Sequence, residues 1–150
     1  PPQSAPDFIR NSPLAAETGW VAVDSKTMQH LKYSNIFGLG DASNLPTSKT
    51  GAAIRKQAPI VVYNILALIK SNKLAEKEYN GYTSCPLVTG YGKMVLAEFD
   101  YSQKFSPDPK LKQFPLLIGD SSKEHWRLWI LKKYILPYLY WNKMMKGKEV

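Results

Sequence analysis

The stretch IFGLGDASNLPTSKTGAA, Ile36 to Ala53, decides how this chain folds. A short apolar run ends in two glycines, Gly38 and Gly40, and Asp41 follows. Asn44, Leu45, Pro46, Thr47 and Ser48 then form a polar turn whose hydroxyls are placed to cap a helix. From Thr50 to about Asn72 apolar residues recur at Ala53, Ile54, Ile60, Val61, Ile65, Leu68 and Ile69, the repeat of one helical face. Strand, glycine turn and helix N-terminus in that order let a ligand approach the backbone closely. The free N–H groups of the first turn favour an electron-rich group, and Asp41 can accept hydrogen bonds from sugar hydroxyls. A plain strand-to-helix loop has the same residues. The Gly-x-Gly-x-x-Gly fingerprint after a first strand is absent, so a complete dinucleotide fold cannot be built from this chain alone.

Outward from that segment the pattern is α/β. The Pro-rich start, PPQSAPDFIRNSPLAAETGW, reads as a loop with at most a turn of helix near Leu14 to Glu17. Gly19 to Asp24 and Lys32 to Asp41 read as two short strands. Pro59 lies inside the long helix, where it should kink the rod or split it. After a charged loop from Leu74 to Tyr79, GYTSCPLVTGYGKMVLAEFDY reads as a hairpin turning at Gly90 to Lys93, with Gly90 and Gly92 supplying positive dihedrals. Residues 102 to 122 read as an irregular connection. Lys123 to Leu136 has helical spacing, Pro137 should break it, and Tyr138 to Lys146 starts a second helix, making the tail a bent amphipathic pair.

Composition narrows the classes. With 150 residues, 44% hydrophobic and 21% charged, the chain is globular, and one domain suffices for its length. One Cys and two His exclude an intrachain disulfide framework and a structural zinc or cluster site, so no metal is expected. No apolar run reaches the roughly 18 to 20 residues of a membrane span, and no signal peptide is evident. Pro1 and Pro2 are odd for a natural start, and a piece of a longer chain is expected. The net charge of +8 is uneven: residues 101 to 150 carry 10 basic against 4 acidic side chains. There Trp126, Trp129, Tyr134, Tyr138, Tyr140 and Trp141 alternate with Arg127, Lys132, Lys133, Lys143 and Lys146. Such a tail suits single-stranded nucleic acid, an anionic bilayer surface, or a solvated basic face over an aromatic core.

Cys85, in Gly81-Tyr82-Thr83-Ser84-Cys85-Pro86, is the one candidate nucleophile. A lone Cys is usually a small buried hydrophobe; this one precedes a proline, follows polar residues and is expected on a loop at the mouth of the hairpin, where a thiolate can react. Taken together, GWVAVD, NIFGLGDASNLPTSKT, YNGYTSCPLVTGYGKMVLAEFDY and LPYLYWNKMMKG resemble, in order and nearly in spacing, the eukaryotic, mitochondrial-type sulfide:quinone oxidoreductases. The likeness covers most of this chain and corresponds to the C-terminal third of a family member. It implies the C-terminal portion of a flavoprotein built of two Rossmann-like dinucleotide-binding domains, with a β-hairpin and an amphipathic helical membrane-docking tail. Residues 1–73 would close the FAD-binding domain, 74–101 would form the redox-cysteine loop and hairpin, and 102–150 the membrane- and quinone-docking region.

The resemblance implies roles for particular residues. Gly40 and Asp41 would lie along the ribityl chain of FAD. Lys49, Thr50, Gly51 and Ala52 would face the flavin ring, the lysine near its pyrimidine edge, where it and the helix N-terminus would stabilise negative charge. Cys85 would pair with a second cysteine upstream of this chain as a redox couple. Hydrogen sulfide would attack a sulfur of that pair, leaving a cysteine persulfide, and electrons would pass through FAD to ubiquinone. Glutathione or sulfite would accept the sulfur. Phe99, Tyr134, Leu136, Leu139 and Met144 are candidates for a quinone channel. The implied setting is the mitochondrial inner membrane, peripheral or monotopic, with an anionic membrane surface and not nucleic acid as the tail's partner. Thr50-Gly51-Ala52 stands where Thr-Ala-Ala is expected, and Ala42 and Ser43 where Cys-Thr is more usual; the tail also ends early. Two other readings are a non-catalytic basic-aromatic module binding anionic lipid or nucleic acid, and a truncated paralogue that folds but does not turn over.

Overall fold

A computed structural model describes residues 3–109 and 120–150. The chain divides between Gly81 and Tyr82 into two compact units, each described by itself. Part of the expected connection from 102 to 122 lies outside the described residues.

The first unit is built on one long helix. Helix α1 is the single turn Asp7–Arg10, so the N-terminal turn forms there and not near Leu14, where Ala15 instead bridges Val21. The two expected strands, Gly19 to Asp24 and Lys32 to Asp41, do not form as strands. They are reduced to single bridges: Val21 with Ser43, Val23 with His30, and Gln29 with Phe37. The N–H groups of four successive residues go to three segments. Val21 N–H donates to the Ala42 carbonyl (2.9 Å), Ala22 N–H to that of Leu14 (2.9 Å), Val23 N–H to Asn44 Oδ1 (3.0 Å), and Asp24 N–H to the Gln29 carbonyl (2.8 Å). A ladder needs one partner strand throughout. Buried His30 pins the following loop, its Nδ1 accepting from the N–H groups of Lys32 (3.0 Å) and Tyr33 (3.1 Å). A backbone N–H can only donate, so Nε2 carries the hydrogen toward the Leu14 carbonyl, 3.2 Å away.

Helix α2 spans Gly51–Ser71. Thr50 caps it, its side chain accepting from Ala53 N–H (3.1 Å), and Asn72 ends it in the left-handed conformation (φ +55°). Of the two outcomes expected at Pro59, a kink or a split, the split does not occur: one helix runs across it. The buried face consists of Ala53, Gln57, Val61 and Asn64, so half of it is amide. Gln57 Oε1 accepts the Gly40 N–H (2.8 Å); Asn64 Nδ2 donates to the Thr27 carbonyl (3.1 Å) and its Oδ1 accepts from Ala75 N–H (3.0 Å). Hydrogen bonds to three separate loops thereby supplement apolar burial. By length and composition α2 could cross a membrane (mean hydropathy 1.3), which the sequence was not expected to offer. Its buried amides bind backbone of the same unit, as in a helix of a folded domain.

In the second unit β1 (Thr83–Gly90) and β2 (Lys93–Phe99) form the expected antiparallel hairpin. Gly92 adopts φ +72°, while Gly90 does not take a positive dihedral and instead ends an irregularity after Val88. Met94, Leu96 and Glu98 are the buried residues of β2; Met94 and Leu96 pack on Leu128 and Leu131. Glu98 is fully buried, and its carboxylate accepts from Tyr82 Oη (2.8 Å), Asp108 N–H (3.0 Å) and Ser121 Oγ (2.9 Å).

The tail helix starts later than expected and does not break. His125 caps α3 (Trp126–Ile130), a π-helical turn follows over Leu131–Ile135, and α4 (Leu136–Asn142) continues directly. Pro137 sits in the first turn of α4. The wider π turn leaves room for its ring and tolerates its missing N–H, so the helix passes the proline.

Replacing Asn64 with Leu removes the partners of Ala75 N–H and the Thr27 carbonyl, at a cost of about 1–3 kcal/mol. Urea unfolding should show that loss, and hydrogen exchange at the Ala75 amide should accelerate with it.

Candidate functional site

Of the residues singled out in the sequence, Gly40, Asp41, Lys49, Thr50, Gly51 and Ala52 come together in the first unit. Gly40, Ser43, Lys49, Thr50, Ala53 and Gln57 line a cleft beside the N-terminus of α2. Gly40 opens a 3-10 turn, Gly40–Ala42, with φ +61°. Thr50, the cap, sets the first turn of α2 with its N–H groups at the cleft.

The glycines act differently from expectation. Gly38 and Gly40 were expected to let a ligand approach the backbone, yet their missing side chains face protein. A Cβ on Gly38 would lie 3.0 Å from Val21 Cγ1 and 3.1 Å from Val23 Cγ1; one on Gly40 would lie 3.0 Å from Ile54 Cγ1. Both admit close internal packing. Gly51 is the open one, where a Cβ would meet nothing within 4 Å.

Lys49 is also placed differently from a free cation. Its ammonium donates to the carbonyls of Asp41 and Ser43, both at 2.7 Å, and lies 3.7 Å from the centroid of the Trp20 ring. Partial burial lowers its pKa, with the Asp41 carboxylate opposing. Behind the cleft, burial raises the Tyr79 phenol above its ordinary value while hydrogen bonds with Gln57 and Thr47 pull the other way. Trp20, Gln57 and Tyr79 were not singled out in the sequence. The signal for Gln57 was there: an amide at helical spacing from Ala53 and Val61 on the buried stripe.

Cys85 belongs to the second unit. It lies in β1 opposite Ala97, on a strand and not on a loop, and its side chain is exposed. Strand alternation explains this: Ser84 is buried opposite Glu98, so the next residue turns outward. Lys132 Nζ, on the π turn, donates to the carbonyl of Pro86 (3.0 Å), which holds a cation one residue from the sulfur-bearing position. Trp126, Tyr134, Tyr138, Tyr140 and Trp141 are exposed on the tail helix, with Lys133 Nζ 4.6 Å from the Trp129 ring and 5.3 Å from that of Tyr134. Among the quinone-channel candidates, Leu136 packs against the core of the second unit, while Phe99 and Tyr134 are exposed. No group of three or more metal-ligating side chains occurs among the described residues.

Three relatives share this sequence nearly from end to end. The chain is 49% identical over 147 residues to the mitochondrial sulfide:quinone oxidoreductase of Mus musculus, covering 98% of this chain and 31% of that protein. It is 49% identical over 152 residues to that of Dictyostelium discoideum (99% and 31%) and 45% identical over 142 residues to that of Schizosaccharomyces pombe (95% and 30%). The chain thus spans about a third of the length of these relatives and matches their C-terminal part. Among solved structures, a chain in the cryo-EM structure of the Tetrahymena thermophila mitochondrial ATP synthase F1Fo composite tetramer is similar, with a TM-score of 0.64 and 28% identity over 80% of this chain and 31% of that one. No protein-family model matches.

Because Cys85 is the one cysteine in the sequence and is exposed, the native chain should react with a single equivalent of a thiol reagent such as DTNB, at a rate within a few-fold of the urea-unfolded chain. Strong protection in the native state would place the thiol elsewhere.

Proposed function

We propose that the chain works as the C-terminal part of a mitochondrial, FAD-dependent oxidoreductase that oxidises hydrogen sulfide and reduces ubiquinone. The observation that carries this reading is the 45–49% identity across nearly the whole chain to proteins named for that reaction. The reading divides the chain by role: 1–73 completes the FAD-binding domain, 74–101 presents the redox cysteine, and 102–150 docks on the membrane.

The residues beside α2 fit a flavin dinucleotide. Gly51, where a Cβ would meet nothing within 4 Å, and the helix start that Thr50 caps would bring first-turn N–H groups to such a ligand, and Asp41 on the neighbouring turn would bring an exposed carboxylate. Helix N-termini favour electron-rich groups, and the fixed charge of Lys49 adds to that field. FAD, when bound, supplies two-electron transfer from the thiol pair to the quinone. Cys85 supplies the sulfur chemistry together with a second cysteine outside this chain. Sulfide attacks the disulfide, a new S–S bond forms as the old one breaks, and one cysteine leaves as thiolate with the electron pair. The persulfide sulfur then passes to a small nucleophile of the glutathione or sulfite class. An exposed thiol on a rigid strand is accessible to both small anions.

Quinone is bilayer-soluble, and the tail suits an anionic membrane surface. Exposed Trp126, Tyr134, Tyr138, Tyr140 and Trp141 suit the interfacial layer, and Lys or Arg near such a surface contributes about 1 kcal/mol each.

In the full-length protein, Cys85→Ser should abolish sulfide-dependent quinone reduction while bound flavin remains; substantial residual turnover would remove Cys85 from the chemistry. The 150-residue chain alone should neither retain FAD tightly nor oxidise sulfide, as a colourless preparation would demonstrate. In flotation assays the chain should rise with cardiolipin-containing vesicles and stay behind with neutral ones.

A further inference from the structure

We propose that Trp20 is a positioning residue of the α2 cleft, holding Lys49 so that its charge acts on a bound group as a fixed field and not as a direct hydrogen-bond donor. The inference rests on the reading of that cleft as a flavin site.

The backbone at Trp20 is positioned without Lys49. Gly19, at φ +83°, turns the chain; its Cβ position lies 3.3 Å from Arg10 Cγ and 3.6 Å from Ala5 Cβ, so a side chain there would be crowded as well as strained. The Trp20 carbonyl accepts the Ala16 N–H at 2.7 Å, and the next residue, Val21, bridges Ser43 in parallel, donating to the Ala42 carbonyl and accepting from Asn44 N–H (3.1 Å). Those bonds fix the backbone at Trp20 alongside the 40–43 turn. The ammonium of Lys49 closes the arrangement from the other end of the turn, with two carbonyls at 2.7 Å and the indole face at 3.7 Å. An ammonium has three N–H donors, and two are directed at carbonyls while the ring takes the charge from a third side. The carbonyls belong to Asp41 and Ser43, either side of Ala42, so the same contact locks the turn that carries the exposed Asp41 carboxylate. Ser43 Oγ donating to the Gly40 carbonyl (2.8 Å) and Gln57 accepting from Gly40 N–H (2.8 Å) secure the turn's other end. Loss of the indole face would release the lysine and loosen the turn, with the rest of the first unit intact.

The test uses acylation of lysines in the chain by an N-hydroxysuccinimide acetate, read by peptide mass spectrometry, alongside flavin content of the full-length protein. In the unchanged chain Lys49 should label more slowly than Lys26 and Lys93. Trp20→Leu should raise Lys49 labelling about fivefold, the population change corresponding to a cation–π contact of this kind, with Lys26 and Lys93 unchanged, and Trp20→Phe should recover part of the protection. In the full-length protein the same order, Trp then Phe then Leu, should appear in FAD retained through gel filtration. Labelling that rises at all lysines in Trp20→Leu would signal unfolding, and Trp20→Phe then decides. Lys49 labelling that does not respond to the better-folded of the two variants overturns the clamp. Raised Lys49 labelling with undiminished flavin overturns the flavin reading of the cleft and leaves the clamp standing.

Discussion

The hydrogen bond from the Gly40 N–H to Gln57 Oε1, 2.8 Å long and sealed from solvent on the glutamine side, is the constraint on which the first unit depends. It ties the turn to the helix that follows it. The segments before α2 form no ladder and are joined to one another by single bridges and scattered backbone bonds, so the amides of α2 add the ties to the helix that this pairing does not supply. A buried amide is costly unless bonded, which makes it selective: Gln57 and Asn64 tolerate only the loop positions that satisfy them. Ala53 and Val61, the apolar residues of the same stripe, are small enough to let those loops come close. Gly40 follows from the same constraint, since its N–H reaches the glutamine only with the backbone at φ +61° and with no Cβ against Ile54.

That account explains which parts of the fold could be read in the sequence. Helix α2 was legible because its stripe, its Thr50 cap and its terminal Asn72 all agree with one period. The hairpin was legible from its alternation and from Gly92. The strands expected before α2 were not, because apolar alternation in GWVAVD states which side chains go inward and says nothing of what the N–H groups bond to; here those of Val21 to Asp24 are divided among three segments. The prolines misled in the opposite direction. Pro59 and Pro137 are unfavourable in helix interiors, yet α2 is not split at Pro59, and a π turn carries the tail helix past Pro137. In the candidate site the residue types were legible and their partners were not. Lys49 carried the expected charge, but the carbonyls and the indole that engage it are set by a bridge between residues over twenty positions apart.

Charge is arranged differently in the second unit. Among its described residues no lysine or arginine is buried, while the carboxylate of Glu98 is fully buried and met by a hydroxyl from each of two side chains and one backbone N–H. Three donors can satisfy a carboxylate, and they join the entry to β1, the loop at Asp108 and the turn at Ser121. An apolar residue at that position would bury as well but would leave those three segments without a shared acceptor.

The direction in which Cys85 points depends on that acceptor. Side chains alternate along a strand, so a slip of one residue in the pairing of β1 with β2 would turn the thiol inward and bring Ser84 or Pro86 to the surface. Apolar residues alone guard such a register weakly here, because Leu87 and Val88 are both exposed and neither face of β1 is strongly apolar. Glu98 guards it with chemistry. Its bond to Tyr82 fixes the residue three positions before Cys85, and its place opposite Ser84 fixes the residue immediately before. At the other end of the strand the irregularity between Val88 and Gly90 takes up the mismatch before the turn, so no slack passes back along the ladder. The exposed sulfur is thus a consequence of a buried carboxylate on the neighbouring strand, and solvent access at position 85 is determined by the core of the unit as much as by its surface.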